Sequence, residues 1–142
     1  MIHKVKNAVT RRLHEAFGTG CEIYSEEVEQ KAAEPFVFVE FFPAAFELES
    51  EMLEKQTIGV RLIYVPKKYS QDVMLDAVRR IKGAFLYRPL EIDGRAVQTY
   101  RVECDISSDD CLVCTMSYTV YVDPGIMDES EFEDMRDMEL NL

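Results

Sequence analysis

Ile2, Val5, Val9, Leu13, Ala16 and Phe17 recur at the helical period, with Lys4, Asn7, Arg11 and Glu15 on the opposite side. Residues 2–17 are therefore predicted to form an amphipathic helix lying on a core. Gly18-Thr19-Gly20 ends it, glycine being the usual residue just past a helix. A short strand is expected over 21–25, and a polar stretch follows. Between Pro35 and Pro43 the aromatic and β-branched run Phe36-Val37-Phe38-Val39-Glu40-Phe41-Phe42 predicts a strand. One face carries Val37, Val39 and Phe41, the other Phe36, Phe38, Glu40 and Phe42, so cover is expected on both sides. Residues 43–56 read as an acidic, irregular loop too long for a tight turn. Thr57 to Val65 alternates again and is stopped by Pro66.

A second helix is predicted over 71–86. Ser70 is a suitable N-cap, and Val73, Met74, Ala77, Val78, Ile81, Ala84 and Phe85 fill one stripe. Leu75 and Leu86 fall off that stripe, as peripheral core or as a small patch. Asp93-Gly94 after Leu90-Glu91-Ile92 is a strong hairpin signal. Two long alternating runs follow, 96–106 and 111–122, joined by the turn Ser107-Ser108-Asp109-Asp110. Each pairs an apolar with a mostly polar face, the pattern of an antiparallel sheet with one solvated side. The pattern as a whole predicts an α+β fold: a mainly antiparallel sheet with two amphipathic helices packed on one face. One domain is expected over 1–122. Residues 123–142 read as an acidic tail, either a short docking helix or an end that orders on a partner.

Composition narrows the class. At 142 residues the chain has the size of one domain, large enough to bury roughly 70% of its unfolded surface without a staple. No apolar run is long enough to span a membrane, and no secretory signal opens the sequence, so a soluble protein with reduced thiols is expected. The net charge of −11 disfavours nucleic-acid binding, sequence-specific or general. From Asp123 to Leu142 there are eight acidic residues and one basic one.

Chemistry is sparse. The sequence has no phosphate-binding glycine loop, no nucleophile elbow and no zinc-protease or calcium-loop pattern. His3 and His14 both lie on the first helix, far from any nucleophile motif. Cys111-x-x-Cys114 falls in a strand pattern rather than at a helix start, and no second ligand pair for zinc is present, so the four cysteines read as ordinary small side chains. No catalytic, metal or cofactor residue is assigned. The glutamates at 26, 27 and 29 and at 47, 49, 51 and 54 read as solvated charge. Glu40 stands among phenylalanines, either as the charged element of an interface or as a side chain reaching solvent at a strand end. The 43–56 segment, with Phe46, Leu48 and Met52 among glutamates, is either an assembly contact or a mobile surface loop. The candidate interface residues are thus Phe36, Phe38, Glu40, Phe42, Phe46, Leu48 and Met52.

The order helix, strands, acidic segment, strand, helix, hairpin, acidic tail resembles the small tail terminator (tail completion) proteins of long-tailed bacteriophages and prophages. Local wording supports the resemblance: Ser25-Glu26-Glu27-Val28-Glu29-Gln30, Glu34-Pro35-Phe36-Val37-Phe38-Val39, Tyr64-Val65-Pro66 and Ser70-Gln71-Asp72-Val73. The resemblance implies a structural protein and no enzyme. It implies a ring, usually of six subunits, that caps the tail tube, stops its growth and meets the head connector or neck protein. Partners would then be other copies of the chain, monomeric before assembly, with the tube and the connector; no membrane and no cofactor is involved. The place would be the host bacterial cytoplasm during assembly, then the virion tail. The alternative is a small intracellular ligand- or peptide-binding or regulatory domain, using a groove between helices and sheet.

Overall fold

A computed structural model of the protein describes residues 1–25 and 33–123. The first helix, α1 (Ile2–Phe17), buries Ile2, Val5, Val9 and Leu13, the predicted stripe. Gly18 closes it at φ 69°, a region that favours glycine, and its N–H donates to the His14 carbonyl. Helix α2 (Gln71–Ile81) opens on the predicted cap, with Val73 N–H donating to Ser70 Oγ at 3.1 Å. The expected helix over 71–86 is not uniform: a π-helical turn takes over at Lys82–Leu86, where Tyr87 N–H donates to the Lys82 carbonyl at 3.0 Å. The wider turn contains Gly83, a weak helix former, and seats both Ala84 and Phe85 in the core.

The main sheet comprises β1 (Glu22–Tyr24), β2 (Phe36–Ser50), β3 (Leu53–Val65), β6 (Glu103–Ile106) and β7 (Leu112–Val122), in the order β1-β2-β3-β7-β6. Only β1 runs parallel to its neighbour. Both helices lie on one face. There Val37, Val39, Ile58, Val60, Leu62, Leu112, Cys114, Met116 and Tyr118 meet α1 and α2 in one core. A separate ribbon, β4 (Leu90–Ile92) and β5 (Arg95–Val97), turns through Asp93 and Gly94 at φ 53° and 74°, the hairpin predicted from that dipeptide.

Three expectations are corrected. The segment 43–56 is no irregular loop: β2 continues through Pro43 to Ser50 and returns as β3 from Leu53, with only Glu51 and Met52 between. Proline is tolerated because β1 covers only Phe36–Phe38 and a bulge follows, between Pro43 and Ala45. The run 96–106 is not one strand. The chain leaves the ribbon at Val97 and joins the main sheet at Glu103; between them Gln98 donates to the carbonyls of Leu86 and Thr99, replacing ladder bonds. Finally, β6 has no buried apolar face, since all four of its residues are exposed. It lies at the sheet edge, outside the helices' cover.

Candidate assembly surfaces

On the face away from the helices, alternation along β2 sets Phe36, Phe38, Glu40 and Phe42 in a row, all half-buried. Phe36 meets Tyr24 edge to face, with ring centroids 5.7 Å apart. Phe42 crosses to Gly59 on β3, where an added Cβ would come within 2.2 Å of the ring, so glycine is what lets the ring lie on the sheet. Arg61 joins the row from β3: its guanidinium lies 5.5 Å from the Phe42 ring centroid and donates to Glu40 Oε2 at 2.8 Å. Glu40 is therefore neither lone nor fully buried. It is one half of a part-exposed ion pair stacked beside an aromatic ring.

The other three candidates lie elsewhere. Before the bulge Phe42 pairs with Gly59, whereas after it Phe46 pairs with Gln56 and Leu48 with Glu54. Gln56 shares the face of Ile58 and Val60, so the extra residue turns Phe46 and Leu48 to the helix side of the sheet. At that end the helices no longer cover the sheet. Leu48 and Met52 are 72% and 67% exposed, and Phe46 and Leu53 are also exposed. The seven candidates thus form two patches: an aromatic row along the first half of β2 on the outer face, and an apolar tip on the distal hairpin, where Phe46 and Leu48 turn to the opposite face.

Both flanks of the sheet are open along part of their length. Among the described residues, no strand pairs with the outer edge of β2 beyond Phe38. On the other flank β6 pairs only with Leu112–Thr115, and no main-sheet strand adjoins β7 from Met116 to Val122. There Arg95 of the ribbon donates to the Tyr121 carbonyl at 3.2 Å.

Little in the titratable groups is set up for reaction. Burial pushes the thiols of Cys21, Cys111 and Cys114 up, as it does the hydroxyls of Tyr64 and Tyr118. Raised thiols are poor nucleophiles. Among the described residues no cluster of three or more His, Cys, Asp or Glu side chains is placed to hold a metal, and no helix is long and apolar enough to cross a membrane. An open cleft of about 420 Å³ lies between the end of α1, α2 and β3, walled by Phe17, Tyr64, Asp76 and Arg80. Arg80 is already engaged there, with Asp76 at 2.9 Å and the Ala16 carbonyl at 2.9 Å. The acidic positions 26, 27 and 29 and the tail from 124 onward lie outside the described residues. Sequence reasoning missed one arrangement: Cys104 faces Cys114, not Cys111, with the sulfurs 3.0 Å apart.

A small α+β domain with an aromatic sheet face, an exposed hairpin tip and open sheet flanks is defined by its surfaces rather than by a pocket. The family described as phage tail terminator protein matches residues 4–130. The chain belongs to that family and is a structural protein of a phage tail. Its fold is similar to a chain in the virion of a native gene transfer agent particle, with TM-score 0.54, 11% identity, and cover of 84% of this chain and 94% of that one. A further solved chain is similar at TM-score 0.51 and 13% identity, covering 89% of this chain and 97% of the other. At these identities the likeness is one of fold. No curated protein matches the sequence.

Proposed function

We propose that the protein caps the phage tail tube as a ring, ends tube polymerisation and provides the joint to the head connector. The observation that carries this reading, beside the family, is the long β2–β3 hairpin, whose outer edge is open and whose tip exposes Leu48 and Met52. A ring closes by head-to-tail contacts, in which each copy offers two different surfaces. The open flank of β2 and that of β7 are two such surfaces at opposite sides of one sheet, and an unpaired edge is a ready pairing template. In this reading the row Phe36, Phe38, Glu40 and Phe42 meets a neighbouring copy, and Phe46, Leu48 and Met52 meet the tube. Six copies would carry six times the chain's −11, a charge that lets DNA pass without sticking. Assembly belongs in the host cytoplasm and the finished ring in the virion.

The test mixes purified protein with purified tail tubes under negative-stain microscopy. Rings at tube ends and arrested elongation are expected. The double variant Leu48→Asp, Met52→Asp, altered only at exposed positions, should stay folded and lose capping at least tenfold, since the loss of two apolar anchors exceeds ~1.4 kcal/mol. Tubes that keep growing with the protein unbound at their ends would overturn the reading.

A further inference from the structure

We propose that Cys104 and Cys114 form a thiol–disulfide exchange site, which takes a small disulfide such as oxidised glutathione and closes into a bond stapling β6 to β7. Three observations converge on the pair. The two residues stand directly opposite each other in the β6–β7 ladder, so their side chains leave the sheet on the same face. Their sulfurs are already 3.0 Å apart, and directly opposed residues of an antiparallel ladder stand roughly 4.5–5.5 Å apart at Cα, within the span a disulfide bridges. Their surroundings differ: Cys104 is exposed on an edge strand, while Cys114 is fully buried. The other two thiols are turned elsewhere, Cys111 toward the Asp109 carbonyl at 3.6 Å and Cys21 toward the Glu22 carbonyl at 3.9 Å.

The difference in exposure sets the order of events. Cys104 is the sulfur that a dissolved disulfide reaches. Its thiolate attacks one sulfur of oxidised glutathione and expels the other half as glutathione thiolate, leaving a mixed disulfide on Cys104. Cys114, deprotonated as it attacks, then displaces the second glutathione from the Cys104 sulfur. Overall the protein gives up two electrons and two protons, one disulfide is consumed, and two molecules of reduced glutathione are released. Burial keeps the Cys114 thiol protonated more of the time, so the second step is the slower one.

The bond would fasten an edge strand that buries none of its residues. All four residues of β6 are exposed, and they pair with β7 at only four positions. A biological meaning follows if the protein passes from a reducing cell into a released virion, and this part rests on the function proposed above. Thiols persist during assembly, and the staple sets once the particle is outside.

The experiment uses the full chain carrying Cys111→Ser. The protein is incubated with oxidised glutathione, remaining thiols are alkylated, and the chain is cleaved at aspartates, which separates Cys104 from Cys114. A joined pair of peptides, lighter by two hydrogen atoms than the two thiol peptides together, is expected, with slower amide exchange over Glu103–Ile106. Cys114→Ala should stop at a glutathione adduct on Cys104, and Cys104→Ser, changed only at an exposed site, should give no intramolecular bond. Native-folded protein in which Cys104 and Cys114 both remain alkylatable, or in which Cys114 joins Cys21 instead, would overturn the proposal. Failure to cap tubes bears only on the ring.

Discussion

Tyr118 is the largest fully buried side chain, and its hydroxyl finds no hydrogen-bond partner among the described residues. An unpaired buried hydroxyl costs about 1–3 kcal/mol, so Tyr118→Phe is expected to leave stability unchanged or raise it by up to ~1 kcal/mol in chemical denaturation. Burial raises its ionisation above the ordinary tyrosine value of 10.0, although the nearby Arg12 opposes this. The folded state thus holds this proton more tightly than the unfolded state. That contribution is fully present below about pH 10 and is lost as pH rises beyond it. The buried thiols act in the same sense from their ordinary value of 9.0 upward. Alkaline unfolding curves should therefore show falling stability above pH 9, less steeply in Tyr118→Phe. At this scale sequence was a fair guide where alternation ruled: the row Phe36, Phe38, Glu40 and Phe42 stands on one face as read. It could not show that Gly59 makes room for Phe42 or that Arg61 pairs with Glu40, because both depend on the register between two strands.

Among the elements, the β2–β3 hairpin departs furthest from its sequence pattern. Proline, two alanines and repeated glutamates have weak strand preference, yet cross-strand pairing with β3 outweighs it, and β3 is itself held by β7 from Glu54 to Tyr64. The bulge beside Ala44 sets which way the distal half faces. Deleting Ala44 should make the register continuous while keeping Phe46 opposite Gln56 and Leu48 opposite Glu54, so that both stay on the helix side of the sheet. We expect the sheet and helices to survive, with a stability loss of about 1–3 kcal/mol on urea unfolding, and tube capping to be kept. Capping lost from a folded variant would show that the bend at the bulge, and not only the side the tip presents, matters to its role. Register also hid the cysteine pair. A four-residue turn at 107–110 would set Cys104 against Val113. Instead Cys111 joins the loop, its carbonyl accepting from Ser107 N–H at 2.9 Å, and the extra residue moves Cys104 opposite Cys114.

For the whole molecule, the α+β class, the antiparallel bias and the placing of both helices on one face were legible because periodicity reports burial, and burial decides layers. What stayed hidden was where strands begin and stop at the open flanks, since no core pattern marks a segment that only another chain would cover. The acidic residues of the hairpin then acquire a geometric meaning. Suppose two copies met through the same flank of β2 about a two-fold axis near Leu48. The strands would run antiparallel and set Glu47 of each copy against Glu49 of the other, like charges that destabilise a ladder. In that register the flank would disfavour its own image and be left to a different surface. Sedimentation velocity should show no two-fold dimer between the single chain and larger species, and a stable symmetric dimer would sink this view. If copies do pair along this flank, glutamates that look like mere solvation on one strand become a rule about symmetry: they would discourage the closed pair that ends growth at two.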